Sequence, residues 1–217
     1  MKKTIKFCSL CTLIVFTFGF LKLFSNKLQL SNDLIRLHIV ANSDSKADQE
    51  VKLQVRDAIT GILDPEMQTF SSKKQAYEYI MENLNEIESI ANQKLYELGV
   101  CEKAVVTLKQ EEFPARDYET FSLPSGVYDS IRIEIGEASG ENWWCVVFPT
   151  LCIPAAVPEL QNQAVSSGFD SGLVKTLTKE PGYEIRFAIL DFIGKVENFF
   201  FKGLFVLYIE RILCYDY

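Results

Sequence analysis

The chain has 217 residues and a formal net charge of −7 at pH 7. Five of its 22 basic residues and none of its 29 acidic residues lie in residues 1–27, so the remainder carries a net charge of −12. Because this acidic surface repels phosphate groups, the composition argues against nucleic acid and anionic lipid headgroups as partners of the main domain. About 190 residues follow residue 27, which is enough to bury the core of one domain.

The first 27 residues have the pattern of an export signal. The basic segment Lys2–Lys6 precedes an apolar run from Phe7 to Leu21, and this order is typical of exported proteins. No small-x-small cleavage pattern follows the run, so an uncleaved membrane anchor is favoured over a cleaved signal peptide. The basic residues then predict an N-terminus in the cytoplasm, with the rest of the chain outside.

Residues 28–160 are predicted to form an α+β domain that begins with a strand. Leu34–Ala41 alternates in polarity, which predicts a strand with one face in the core and the side chains of Arg36 and His38 on the other face. Asn42–Ser45 ends this strand, since its residues favour turns and helix N-caps. Ser45 is expected to cap a first amphipathic helix, which ends at Asp64-Pro65.

A second helix and a run of strands follow. The capping box of Ser72 and Gln75 begins the helix, and Gly99 is expected at its C-terminal end. Apolar, β-branched runs then predict strands at Ala104–Leu108, Val127–Ile135 and Trp143–Phe148. A strand, two amphipathic helices and then hairpin-linked strands are the order of an α+β domain with a mainly antiparallel sheet.

The stretch from Asn142 to Cys152 contains both tryptophans and two cysteines. Its strand is expected to be buried on both faces and to end at Pro149, which has no N–H to give to a sheet. Trp143 and Trp144 then point to opposite faces, so at least one lies in the core and the other is a candidate partner contact. Cys145 and Cys152 either form a disulfide that closes the turn or remain buried thiols, depending on the compartment.

Residues 161–217 form a variable C-terminal region. Ala164–Gly182 is predicted as a loop and Tyr183–Ile189 as a strand. A helix is predicted from Leu190 onward, with its apolar side inside: Phe192, Ile193, Val196, Phe199 and Phe200. The apolar end, 199–217, either docks on the domain or lies on a membrane. Cys101 and Cys214 have no assigned partner.

Two motifs resemble the stage II sporulation protein R family of endospore-forming bacteria. The first is Arg36–Ser45, continuing through Asp48-Gln49 and Lys52 to Val55–Ala58. The second comprises Phe113-Pro114, the turn Leu123–Tyr128, and the Asn142–Cys152 stretch with its Pro149. The resemblance spans about residues 34–152.

This resemblance implies a signalling protein and not an enzyme. Family members are made in the forespore and exported into the space between its two membranes. There they activate a membrane-embedded aspartic protease of the mother cell, which matures the precursor of a sporulation sigma factor. No cofactor is implied. The oligomeric state is left open.

The polar residues of the first motif allow two interpretations. His38 is the only histidine, which excludes a histidine-rich metal site, and two thiols alone do not complete a zinc site. A structural His38 is favoured over a general base. Asn42, Ser43 and Asp44 are explained by capping and loop closure, and a partner-binding role for their exposed part is the alternative.

Two further functional classes stay open. An envelope hydrolase would require His38 beside an acid and a nucleophile in a cleft. A structural envelope protein would expose an extensive self-complementary apolar surface. The favoured reading has no catalytic residue and predicts partner-binding residues and a disulfide: Asn42, Ser43, Asp44, Trp143 and Trp144, with Cys145 and Cys152 bonded.

Overall fold

A computed structural model describes residues 31–118 and 121–150 without a break. It also describes residues 7, 9–14, 17–19, 21 and 25 near the start of the chain, and 188, 191–196, 198 and 199 near its end. The predicted loop at 164–182 lies outside the described residues, as do nearly all of the predicted strand at 183–189 and the apolar end at 199–217.

The described residues form a four-stranded sheet with three helices on one face and a small two-stranded sheet beyond the other. The strands are β1 (Ile35–Val40), β2 (Ala104–Phe113), β3 (Arg116–Asp117), β4 (Ser122–Leu123), β5 (Gly126–Ile135) and β6 (Asn142–Phe148). The main sheet has the order β2-β5-β1-β6, and β3 pairs with β4. β1 is parallel to β5, whereas the β1–β6 and β2–β5 pairs are antiparallel. The predicted α+β class with a mainly antiparallel sheet is therefore confirmed.

Strand β1 lies inside the sheet and is buried along its whole length. Leu37 and Ile39 pack on the helix side, in the larger apolar cluster. The other face is buried too, since Arg36 is 0% and His38 7% exposed. The expectation that only one face lies in the core is therefore wrong. The second face is buried because aromatic side chains of the segment after β2 cover part of it and form a separate apolar cluster.

The predicted first helix is α1 (Lys46–Met67). Ser45 caps it as expected, because its hydroxyl oxygen accepts the N–H of Asp48 at 3.1 Å. The predicted end at Asp64-Pro65 is wrong, since α1 continues through Pro65 to Met67. Pro65 falls in the last turn, where it removes one hydrogen bond, and burial of Met67 in the core favours completing that turn.

The predicted second helix is two helices, α2 (Lys73–Glu82) and α3 (Leu84–Glu97). The break is at Asn83, whose backbone leaves the helical region with φ −107° and ψ 12°. Its side-chain amide donates to the Tyr79 carbonyl at 2.8 Å, a local bond that competes with helix continuation. Gly99 ends α3 as expected, with a left-handed φ of 71°.

Residues 191–196 are helical, as predicted, and contact the turn between β4 and β5. Asp191 Oδ1 accepts the Ser125 N–H at 3.1 Å and its hydroxyl at 2.7 Å. A side chain at Gly194 would overlap the Ser125 carbonyl oxygen, so the close approach requires glycine there. Ile193 is buried, but Phe192, Val196 and Phe199 are exposed, which corrects the expectation that they face inward.

The described residues of the leader are helical. No helix in the described part of the chain is long and apolar enough to cross a membrane. The anchor proposed from the sequence stays a prediction.

Asp64 supplies a testable electrostatic property of this fold. It is 8% exposed, its Oδ1 has no hydrogen-bond partner, and burial raises its pKa from 3.8 to about 6. Because folding favours its protonated form, the stability that Asp64 contributes is fully present below about pH 3.8. That stability is lost as the pH rises through about 6.

Asp64→Asn should therefore raise the free energy of unfolding at about pH 7.5 by about 1 kcal/mol. It should also flatten the fall in stability between about pH 4 and 7, measured by chemical denaturation. Asp57→Asn is the matched control on the same helix, since the Asp57 side chain is 58% exposed. A less stable Asp64→Asn protein at about pH 7.5 would contradict this account.

Candidate functional site

The candidate site lies at the loop end of the sheet, which we define as residues 42–45 together with residues 136–141. Val40, the last residue of β1, is paired with Glu134 of β5 and with Asn142 of β6. The loop after β1 and the turn between β5 and β6 therefore meet. The predicted residues Asn42, Ser43 and Asp44 lie in this loop, and the two tryptophans lie at the start of β6 beside it.

Asn42 joins three elements at the loop end. Its Oδ1 accepts the Glu137 N–H at 3.0 Å, and its carbonyl oxygen accepts the Ser139 hydroxyl at 2.6 Å. Its Nδ2 donates to Asp48 Oδ2, 3.1 Å away in the first turn of α1. One side chain thus fixes the β5–β6 turn and the start of α1 relative to β1.

Ser43 and Asp44 extend this network. The Ser43 hydroxyl donates to Asp48 Oδ2 at 2.5 Å, and Asp44 Oδ1 accepts the Glu141 N–H at 2.7 Å. The hydrogen bonds from Ser43 and Asn42 hold the pKa of Asp48 below its ordinary value. These contacts fit the capping and loop-closure interpretation. Asp44 is nevertheless exposed, so its carboxylate is accessible to a partner.

The turn approaches the loop too closely for side chains at two glycines. A Cβ at Gly136 would overlap the Asn42 amide, and one at Gly140 would overlap the Ser43 carbonyl group. Gly136 also has a left-handed φ of 57°. The loop end therefore has a fixed shape set by backbone contact.

Lys52 is a buried member of the site, which the first motif includes but to which no role was assigned. It is 4% exposed, and its Nζ donates to Gln49 Oε1 at 2.5 Å and to the Glu141 carbonyl oxygen at 2.9 Å. Burial lowers its pKa, and the charges of Glu141 and Asp44 oppose that shift. The sequence feature that could have indicated it is a lysine on the buried side of α1, one residue after Val51.

His38 forms the centre of a polar cluster on the second face of the sheet. Its Nδ1 lies 3.1 Å from Glu111 Oε1 and its Nε2 lies 2.7 Å from Asn142 Oδ1. Arg132 Nη1 lies 3.0 Å from Glu111 Oε2, and its Nη2 lies 2.7 Å from Glu134 Oε1. Four strands thus each contribute to one network.

The network controls the ionisation of Glu111. Burial by itself raises the Glu111 pKa, but polar contacts with His38, Ser130 and Arg132 outweigh burial and lower that pKa to about 2. Glu111 is therefore an ionised acceptor that holds its neighbours. The ring nitrogens of His38 contact a carboxylate, a guanidinium and an amide, and no described hydroxyl or thiol is hydrogen-bonded to the ring. This geometry fits a structural role for His38, which stays a prediction.

Arg36 lies deeper on the same face and was not predicted as a special residue. Its guanidinium carbon is 3.9 Å from the centre of the Phe113 ring and 5.1 Å from that of Tyr128. Nη2 donates to the Tyr118 hydroxyl at 2.8 Å, while Nε and Nη1 have no hydrogen-bond partner. Aromatic faces therefore stabilise this buried cation together with its hydrogen bond to Tyr118. The sequence feature that could have identified this residue is an arginine within an apolar strand pattern.

The two tryptophans point to opposite faces of β6, as predicted. Trp143 packs against the larger cluster and Trp144 against the smaller one, and both are half-buried. Each ring is covered by an arginine: Arg56 lies 4.4 Å from the centre of Trp143 and Arg116 lies 3.8 Å from that of Trp144. A partner would therefore meet an arginine–tryptophan stack and not a bare ring.

Cys145 is buried on β6 and is disulfide-bonded. Its predicted partner Cys152 lies outside the described residues, so the pairing itself stays a prediction. Cys101 is a free, exposed thiol. Within residues 31–118, 121–150 and the shorter described segments, no group of histidine, cysteine and carboxylate side chains could hold a metal ion.

Comparison with known proteins gives two matches. The family model for stage II sporulation protein R matches residues 31–157. The chain is also 30% identical over 183 residues to stage II sporulation protein R of Bacillus subtilis (strain 168), covering 76% of this chain and 82% of that protein. No solved structure matches significantly. The matched region contains the loop end, the His38 cluster and Arg36.

The Asn42 network predicts a specific loss of stability. Asn42→Ala removes the bonds to the Glu137 N–H and to Asp48, so we expect the free energy of unfolding to fall by about 1–2 kcal/mol. Glu137→Ala is the control, because it keeps the backbone N–H that Asn42 contacts and should change stability by less than about 0.5 kcal/mol. Equal denaturation midpoints for all three proteins would show that the network does not hold the loop.

Proposed function

The chain belongs to the stage II sporulation protein R family, and from that premise we propose that it is an exported signal that activates a membrane-embedded aspartic protease in the mother cell. Activation leads to maturation of a sporulation sigma factor precursor. Family membership supports a role in sporulation. We propose the remaining points from the role of the family: the protease, the compartment and the direction of the signal.

The main observation in favour of a binding mechanism is that the polar side chains of the His38 cluster are bonded to one another. His38 is bonded on both nitrogens, and Glu111 is held ionised by His38 and Arg132. A general base needs a ring nitrogen that can accept a proton from a bound substrate or water, and both nitrogens of His38 already contact neighbouring side chains. Activation then acts through contact with the protease, without chemistry by the described residues.

The loop end is the surface that we assign to this contact. Asp44, Glu137 and Glu141 are exposed there, next to the half-buried Trp144. The Asn42 network holds the loop before any partner binds, which reduces the conformational entropy lost on binding. A rigid acidic surface beside an arginine–tryptophan stack suits a protein partner with complementary charge.

Reconstitution in a non-sporulating host tests this function. The chain, the candidate protease and the sigma factor precursor are co-expressed, and precursor cleavage is measured on an immunoblot. Asp44→Asn keeps an acceptor for the Glu141 N–H but removes the charge, so we expect weaker cleavage that recovers when the variant is expressed at higher levels. His38→Gln should leave cleavage nearly intact in protein that folds.

The control for these variants is Glu78→Gln, which removes an exposed charge from α2, away from the loop end. Cleavage without this chain, or no cleavage with it, would overturn the proposed function. Loss of cleavage in a folded His38→Gln protein that still binds the protease would instead favour a catalytic role for His38.

Export is tested separately. Alkaline phosphatase is active only on the oxidising side of the membrane, so a fusion placed after Lys27 should be active if residues 1–27 direct export. Replacing the Lys2–Lys6 lysines with glutamate should reduce that activity, because the basic segment sets the orientation. A stable but inactive fusion to the unaltered leader would contradict the proposed export.

A further inference from the structure

The two arginine–tryptophan stacks on β6 differ in how the arginine charge is balanced. On the helix side, Arg56 covers Trp143, and Asp57 Oδ1 lies 2.7 Å from Arg56 Nε and 2.6 Å from its Nη2. On the second face, Arg116 covers Trp144 at 3.8 Å, and no carboxylate in the described part of the chain pairs with it. Arg116 is also exposed. One stack therefore holds a balanced charge, and the other presents a cation to solvent.

The surroundings of Arg116 fix its position. It begins β3, where it pairs with Leu123 of β4. Two residues later, the Tyr118 hydroxyl donates to the Trp144 carbonyl oxygen at 3.3 Å, and this bond fastens the segment to β6. The His38 ring supports Trp144, with ring centroids 5.5 Å apart. The backbone that carries Arg116 is thus ordered before a partner binds, which lowers the entropy lost on binding.

Stacking leaves the hydrogen-bonding edges of the Arg116 guanidinium available. The five N–H groups of arginine lie in the plane of the group, so a ring beneath that plane blocks none of them. Among the residues that the structure describes, none accepts a hydrogen bond from this side chain. Such a planar set of donors matches the oxygens of a carboxylate. Arg56 shows the same combination within this molecule, because its stacked guanidinium donates to Asp57.

The charges around the stack select the source of a bound carboxylate. Glu141 of the loop end precedes Trp144 by three residues. Asp44 and Glu137 are exposed on the same loop end. These carboxylates repel a multiply charged anion, such as a phosphate polymer or an anionic membrane surface. A protein avoids this repulsion by presenting an acidic side chain to Arg116 and basic side chains to the loop end.

We propose that Arg116, stacked on Trp144, binds an acidic side chain of the membrane-embedded protease, while the acidic loop end faces basic side chains beside it. This inference rests on the proposed function and adds a specific contact to it. Arginine and tryptophan are among the residue types that dominate the binding energy of protein interfaces. The charge pattern also sets the orientation of the partner, because a rotated partner brings like charges together.

Two assays of the full chain test this contact: precursor cleavage in the co-expression host, and affinity for the detergent-solubilised protease. Arg116→Gln should weaken binding about tenfold and reduce cleavage, with unchanged circular dichroism. Arg116→Lys should recover only part of the affinity, since lysine keeps the charge but lacks the planar donors. Lys109→Gln is the matched control, because it removes an exposed positive charge from the same face. Its affinity should stay within about twofold of the parent's.

Charge reversal distinguishes a direct contact from a structural effect of Arg116. Arg116→Glu should abolish cleavage. The acidic residues of the protease on the side of the membrane that faces this chain are then replaced with arginine one at a time, and one replacement should restore cleavage. A purely structural role for Arg116 would not be rescued by a change in the protease.

Four results would overturn this inference while cleavage by the parent upholds the proposed function. They are parent-like affinity of Arg116→Gln, failure of every replacement to restore Arg116→Glu, an equal loss in Lys109→Gln, and weaker binding of Arg116→Gln only to phosphatidylglycerol vesicles. If Arg116→Gln fails to fold, parent-like affinity of Arg116→Lys overturns the inference instead. A parent that neither binds the protease nor supports cleavage would overturn both the proposed function and this contact.

Discussion

Burial of both faces of β1 is the constraint on which the rest of the described structure depends. An inner strand that carries only apolar side chains would need no special arrangement, but β1 carries Arg36 and His38 on its second face. A buried guanidinium loses its hydration and must be compensated. Aromatic residues at the end of β2 and after it provide this compensation, since Phe113 stacks on Arg36 and the Tyr118 hydroxyl accepts a hydrogen bond from Arg36 Nη2. The smaller cluster therefore encloses a charge and also buries apolar area.

The same strand leads directly into the loop end. Asn42 follows β1 by two residues and bonds to the β5–β6 turn and to α1. Because the β1 backbone is fixed by pairing on both sides, it also sets the position of the loop that follows it. A surface built in this way does not need to order itself on binding. The exposed carboxylate of Asp44 thus has a defined place, although it lies in a loop.

Local signals in the sequence predicted much of this architecture. Ser45, Gly99 and the alternation of β1 each reflect interactions within a few residues, and the structure has the predicted element at all three. Non-local effects were missed. The His38–Glu111 contact joins residues 73 apart, and periodicity assigns His38 to a face without naming its neighbour. The helix break at Asn83 and the continuation through Pro65 were decided by competing local bonds and by core burial, which propensities do not rank.

A buried polar group adds little net stability compared with an apolar one of similar size, but it can specify a unique arrangement. A shift of β1 by one residue would move Arg36 and His38 to the helix side, among Ile131, Ile133 and the apolar stripe of α1. There they would lie in the larger apolar cluster and lose their contacts with Phe113, Glu111 and Asn142. Since Asn42 continues from β1, the residues that fix this register also fix the position of the loop end.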